Sequence, residues 1–306
     1  MISPKITKEI QARLTQMNDE VVQARKQVKN IWIGVVIFSI VLLPIFYLNQ
    51  AMILFIFVAV LAGIIGGGMH HHIIGKKKNL FKTQIISSLI NQDENLGMTY
   101  APQNHITPRE FEYSDIFNNQ IDRFNGEDLF TGLRGKTQFK FSEVFAEERH
   151  QRTDSKGHST TYYETVFQGI FFVAEFNKKL KGFTKVVEGS DGFFEKLFSG
   201  KSKVVLENPN FEKIYNTYGN NQVEARYILT PDMMEKMLKL KEIFKTEIDY
   251  SFKENFIFVA IHSSKNKFEL NTKQPVDKQQ VNRIFDEIEN VLQVIDVLAL
   301  NVRIWG

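Results

Sequence analysis

Two stretches near the start of the chain carry no charged side chain: residues 31–48 (IWIGVVIFSIVLLPIFYL) and 51–68 (AMILFIFVAVLAGIIGGG). As helices of about 18 residues each they rise roughly 27 Å, close to the thickness of a bilayer's hydrocarbon. Soluble cores rarely contain two adjacent charge-free runs of this length, and a cleaved leader does not begin after a thirty-residue polar arm and pass straight into a second apolar run. The pattern predicts a transmembrane helix hairpin. Only Asn49 and Gln50 separate the runs, so the helices must be antiparallel around a tight turn. Trp32 and Tyr47 lie near the two ends of the first span, where amphipathic rings prefer the interface. Pro44 is tolerated there as a kink. Ala59, Gly63 and Gly67 fall on one face of the second span, a small-residue stripe for close helix packing, against its own hairpin partner or a second copy.

The polar arm (residues 1–30) reads as an amphipathic helix that runs into the membrane. Ser3 and Pro4 are suited to its N-cap and first turn, and Ile10, Leu14, Met17, Val21, Ala24 and Val28 repeat at spacings of four and three. That seam is short for a free coiled coil and suits packing on the soluble domain, a partner or lipid. Residues 69–109 form a juxtamembrane basic helix through Phe81, Ile85, Ile86, Leu89 and Ile90, ending near Gly97, with 100–108 as a proline-containing linker.

From residue 110 to 306 the periodicity alternates between strand and helix. Strands are predicted over 137–145, 161–176, 183–187, 203–206, 223–229, 247–252, 256–261 and 267–270, with 149–159 as a mobile hairpin tip. Thr230 and Pro231 open a helix through Met233, Met237, Leu240 and Phe244. A long final helix keeps Val281, Ile284, Phe285, Ile288, Val291, Leu292, Ile295, Leu298 and Val302 on one face. The fold class is α+β: an N-terminal two-helix transmembrane hairpin, then a soluble domain with a mainly antiparallel sheet and a long C-terminal helix.

Charge sharpens this picture. The first thirty residues hold six basic and three acidic side chains, the segment 76–82 holds four lysines and no acid, and the overall charge is +3, so the rest is negative. The basic excess hugs the spans, while their connecting turn has none, which places both termini in the cytoplasm by the positive-inside rule. A basic face on the folded domain, which nucleic-acid binding requires, is not predicted. There is no cysteine, which excludes disulfides, thiolate catalysis and cysteine metal sites. The 27 phenylalanines favour packed strands and helices over disorder.

Motifs for chemistry are sparse. Residues 132–137 (GLRGKT) have two residues between the glycines where a phosphate-binding loop needs four, and a strand pattern follows where that loop needs a helix, so a simple β-turn is expected. His70, His71 and His72 point about 100° apart on a helix, so at most two could share a metal; with Lys76, Lys77 and Lys78 they read as a membrane-surface cluster, in which lipid or pH sensing is an alternative role. Glu224 and Arg226, two apart on the strand expected at 223–229, with Tyr227 and Glu207 beside them, are the candidates for a cleft; a structural ion pair is the simpler reading. No cofactor is expected and no catalytic residue is assigned.

Three segments carry a resemblance: residues 167–178 (FQGIFFVAEFNK), 205–231 (VLENPNFEKIYNTYGNNQVEARYILTP) and 300–305 (LNVRIW). They resemble the bacterial membrane-anchored family labelled domain of unknown function 3137, over roughly residues 80 to 306. The resemblance implies a bacterial inner-membrane protein with an N-terminal helix hairpin, and a LemA-type membrane protein as a partner; it brings no activity. A membrane-anchored cytoplasmic binding or scaffold protein is therefore the expectation, with an enzyme acting at the Glu207, Glu224, Arg226 and Tyr227 cleft as the rival.

Overall fold

The computed structural model describes residues 4–189 and 202–301. The chain divides into two compact units: residues 3–89 with 269–285, and residues 90–268 with 286–306.

The first unit is helical. Helix α1 (Lys8–Leu48) runs without interruption through the polar arm and the first apolar run, and α2 (Met52–Phe81) carries the second. Thr7 caps α1 by accepting from the Ile10 N–H, so the helix starts four residues later than a cap at Ser3, which lies outside the described residues. Asn49, Gln50 and Ala51 make the turn, with Gln50 in the left-handed region (φ 55°). None of the apolar window of α1 is buried and only 6% of that of the second span. Core helices of a soluble protein would bury these side chains; the outward Ile, Leu, Val and Phe need an apolar solvent.

The seam on the arm is buried at Ile10, Leu14, Met17, Val21 and Ala24, while Val28 is half-buried. The arm is tied to residues 269–285: Asn18 Oδ1 accepts from the Val276 N–H (2.9 Å), and Arg25 donates to the Gln274 carbonyl (2.5 Å). Beyond α2 the helix passes through a π-turn (Lys82–Ile86) into α3 (Ser87–Asn91), burying Phe81, Ile85, Ile86, Leu89 and Ile90 as the pattern predicts.

The second unit is built on an antiparallel sheet of nine strands among the described residues, in the order β1-β2-β3-β4-β9-β8-β5-β7-β6. The strands are β1 (Met98–Ala101), β2 (Arg123–Arg134), β3 (Thr137–Thr153), β4 (Ser159–Glu175), β5 (Phe183–Glu188), β6 (Ser202–Lys203), β7 (Tyr215–Gly219), β8 (Ile248–Lys253) and β9 (Phe256–His262). The remaining helices are α4 (Pro108–Tyr113), α5 (Pro209–Glu212), α6 (Gln222–Ile228), α7 (Pro231–Phe244) and α8 (Lys278–Val297). The apolar centre of β4 is explained by burial on both faces. Phe172 packs with Phe139 and Phe141 on one side, and Phe171 with Phe111, Phe167 and Phe258 on the other. The phenylalanine excess thus fills two cores, one per face.

Several elements differ from expectation. Residues 223–228 lie in helix α6 and Leu229 caps it, where the alternation predicts a strand over 223–229. Residues 100–108 include the end of β1, whose Tyr100 stacks on Phe130 (4.5 Å). Residues 267–270 form no strand. At the 149–159 tip the ladder continues to the pair Thr153 and Ser159, leaving 154–158 as the turn, in which Asp154 accepts from the Lys156 and His158 N–H groups. The GLRGKT segment is the β2–β3 turn, with Gly135 at φ 64°. Helix α8 ends at Val297 and Ala299 turns left-handed (φ 55°); Val302 lies outside the described residues.

Candidate functional site

The cleft candidates do not converge. In the stretch NNQVEARYI the apolar residues alternate like a strand, but Asn221 Oδ1 accepts from the Val223 and Glu224 N–H groups and starts α6. This is the cap that competes with strand formation. On a helix, positions two apart diverge. Glu224 accepts from the Lys181 and Gly182 N–H groups, both at 2.8 Å, and Asn220 Oδ1 from Phe183 N, so α6 pins the entry to β5. Arg226 points elsewhere, to the Val205 and Gln222 carbonyls. Tyr227 is exposed and its ring lies 3.9 Å from the Lys178 ammonium, which burial holds below the usual lysine range. Glu207 is exposed. Glu224, Arg226 and the Tyr227 ring reach three different neighbouring segments and Glu207 is exposed, because the strand that would have aligned them is a helix.

At the hairpin, Gly66 faces α1. A Cβ added there meets Val35 Cγ2 at 3.2 Å, while one added at Gly63 or Gly67 meets nothing within 4 Å, and Ala59 is half-buried. The glycine that admits α1 is therefore one position off the expected stripe, because the approach of the two helices is set by Ile31, Trp32 and Val35 against the Gly66 face.

His70, His71 and His72 are exposed, with Trp32 Nε1 3.4 Å from His70 Nδ1. The lysines divide. Lys76 is exposed; Lys77 pairs with Glu20 (2.8 Å) and Lys78 with Glu269 (2.7 Å). Lys82, almost fully buried, takes the other oxygen of Glu269 at 2.8 Å. Burial alone would raise the Glu269 carboxyl, and the two ammonium groups more than reverse this, holding it below its ordinary 4.5. Sequence reading finds the lysines but not Glu269, which is nearly two hundred residues away.

Two clusters of possible ligands were not singled out from sequence. Glu127, Asp128 and Glu143 meet where a bulge in β2 turns Asp128 left-handed (φ 62°); Glu127 and Glu143 line a cavity of about 240 Å³ with Gln168, Lys265 and Asn266. The other lies at the end of β5, β8 and β9, where Glu247, Asp249 and His262 gather. Asp249 is buried; its Oδ1 accepts from the Glu188 N–H (2.9 Å) and its Oδ2 lies 3.1 Å from His262 Nε2. Burial would lower the imidazole, but the bond to Asp249 and the carboxylates of Glu247 and Glu188 outweigh it and hold His262 above its ordinary 6.5. Glu188 is itself paired with Lys241 of α7. The sequence signal was modest: acids two apart at the start of one strand and a histidine ending another.

No curated protein matches the chain. Among solved structures, the crystal structure of the mycobacterial trehalose monomycolate transport factor A, TtfA, is similar at 8% identity and a TM-score of 0.32, over 67% of this chain and 90% of that one. Residues 165–300, from within β4 to just past α8, match the model of the family described as "Protein of unknown function (DUF3137)".

Proposed function

We propose that the chain is a membrane-tethered binding or scaffold module, with the hairpin spanning the bilayer, both termini in the cytoplasm and the sheet unit held at the inner surface of a bacterial cell membrane to engage a membrane-protein partner. The observation that carries it is the pair of outward-facing apolar helices closed by an uncharged three-residue turn and flanked by Lys and Arg at their outer ends. Such a hairpin costs too much in water and has no evident use other than anchoring. Tethering raises local concentration, so a weakly held partner is captured without a large interface. A LemA-type membrane protein is the partner suggested by the family resemblance, and a second copy of the chain is the competing one.

Crosslinking in native membranes, followed by identification of the linked species, tests this. A discrete heteromeric or homomeric product that survives gentle solubilisation is the expected result. A chain that remains monomeric and uncrosslinked at native abundance contradicts it.

A further inference from the structure

The strand ends at Glu247, Asp249 and His262 have a geometry that the tethering role does not use. Glu247 and Asp249 are two apart on one chain segment and His262 lies on the neighbouring strand, with its N–H bonded to the Glu247 carbonyl at 3.0 Å. Alternation along the pleat therefore directs all three side chains to the same face. One donor atom from each lies within 4.8 Å of the other two. His262 Nε2 is 3.1 Å from Asp249 Oδ2 and 3.9 Å from Glu247 Oε1. Around a zinc ion with bonds of about 2.0–2.2 Å, tetrahedral or octahedral neighbours stand roughly 3.0–3.6 Å apart; the two separations from His262 lie within a few tenths of an ångström of that range, and the two carboxylates, within 4.8 Å of each other, close on an ion by rotation of the half-exposed Glu247 side chain.

We propose that Glu247, Asp249 and His262 form a binding site for a divalent transition-metal ion, of which Zn²⁺ is the best fit. An imidazole with two carboxylates is a donor set that zinc accepts, and its one nitrogen donor tells against magnesium and calcium, which take all-oxygen sets. Neighbouring groups restrain two of the three ligands. The Glu188 N–H holds Asp249 Oδ1 and leaves Oδ2 toward the imidazole. The rings of Phe117 and Phe167 stand edge-on to His262 at 6.2 and 5.0 Å, and the Thr246 hydroxyl donates to the His262 carbonyl. Such partners fix ligand orientation. Charge points the same way: three carboxylates, Glu188, Glu247 and Asp249, gather around one imidazole and the Lys241 ammonium, which is paired with Glu188, and a dication adds to that balance. Glu247 is half exposed, which gives the ion an entry path.

The test is zinc titration by calorimetry of the full-length protein in detergent, without an affinity tag and with His70, His71 and His72 changed to Ala to remove competing imidazoles. One saturable zinc site per chain is expected, with no displacement by excess Mg²⁺. Asp249→Asn and Glu247→Gln should each weaken it about tenfold or more. Glu247 is half exposed and its contact with His262 is long, at 3.9 Å, so Glu247→Gln should lower the metal-free unfolding temperature only slightly. Absence of a saturable isotherm, or an isotherm unaltered in both variants, overturns the assignment and leaves the cluster as a plain imidazolium–carboxylate pair.

Discussion

Replacing Glu269 by Gln probes the part of the helical unit that sequence did not reveal. Glu269 Oε1 is 2.8 Å from the Lys82 ammonium, whose side chain is 4% exposed, and Oε2 is 2.7 Å from that of Lys78, 37% exposed. Removing the carboxylate charge beside a buried ammonium costs roughly 3–5 kcal/mol. The more exposed Lys78 contact adds under about 1 kcal/mol after solvent screening. We take about 3 kcal/mol as the expected loss, a fall in Tm of roughly 6–12 °C for a protein of this size. The loss should centre on the helical unit, because Arg283 also donates to the Glu269 carbonyl and so ties this residue to the start of α8. Hydrogen exchange should report faster opening in Lys8–Leu48 before the sheet responds. The double variant Glu269→Leu/Lys82→Met should recover most of the loss, since an apolar pair of similar volume replaces a buried ion pair at little cost. Thermal unfolding in detergent followed by circular dichroism, with Glu207→Gln as the exposed control, is the assay. A Glu269→Gln variant indistinguishable from that control refutes the reasoning.

The same contact sets a pH dependence. Because the folded Glu269 carboxyl titrates below its ordinary 4.5, the stability it contributes is complete above about pH 4.5 and is lost as pH falls through the lowered value; an acid titration should show a flatter profile in the double variant than in the parent. Gly169→Ala should destabilise the sheet unit severely, by about 3 kcal/mol or more, since the new Cβ would lie 2.1 Å from the Ile261 carbonyl oxygen at a φ of 155°; normal expression and an unchanged Tm would show that β4 and β9 do not approach as described. Gly66→Leu should loosen the hairpin while Gly67→Leu leaves it intact, read as protease resistance in detergent, and equal effects would show that the helices meet on another face.

How much of this was legible depends on the range of the interactions involved. The hairpin needed only composition, because dehydrating a charged group or an unpaired peptide in lipid is expensive wherever it occurs in the chain. The β3–β4 hairpin and α7 followed from period and cap: Phe139 and Phe141 alternate with polar residues, and the Thr230 hydroxyl accepts from Met233 N. Strand β2 was missed because its run, RFNGEDLFTGLR, is interrupted by the bulge at Asp128, and β7 because YNTYG has no apolar alternation, although all five residues are buried. Helix α6 was misread because Val223, Ala225, Tyr227 and Leu229 mimic a strand when the Asn221 cap is given too little weight. The site suffered most. Which carboxylate meets Lys82, and which histidine meets Asp249, is decided by register between segments far apart in sequence, and residue type alone carries no such information.

The absence of cysteine from the chain makes the proposed placement of its two apolar helices and folded unit relative to a membrane directly measurable. Single cysteines are introduced by Gln50→Cys, in the turn between the spans, and by Lys156→Cys, at the exposed tip of the β3–β4 hairpin, and intact cells are treated with a membrane-impermeant maleimide before and after permeabilisation. The account predicts labelling at position 50 in intact cells and at position 156 only after permeabilisation. Labelling at position 156 from outside, or recovery of the protein in a detergent-free supernatant, would contradict a hairpin anchor that holds the folded unit inside the cell.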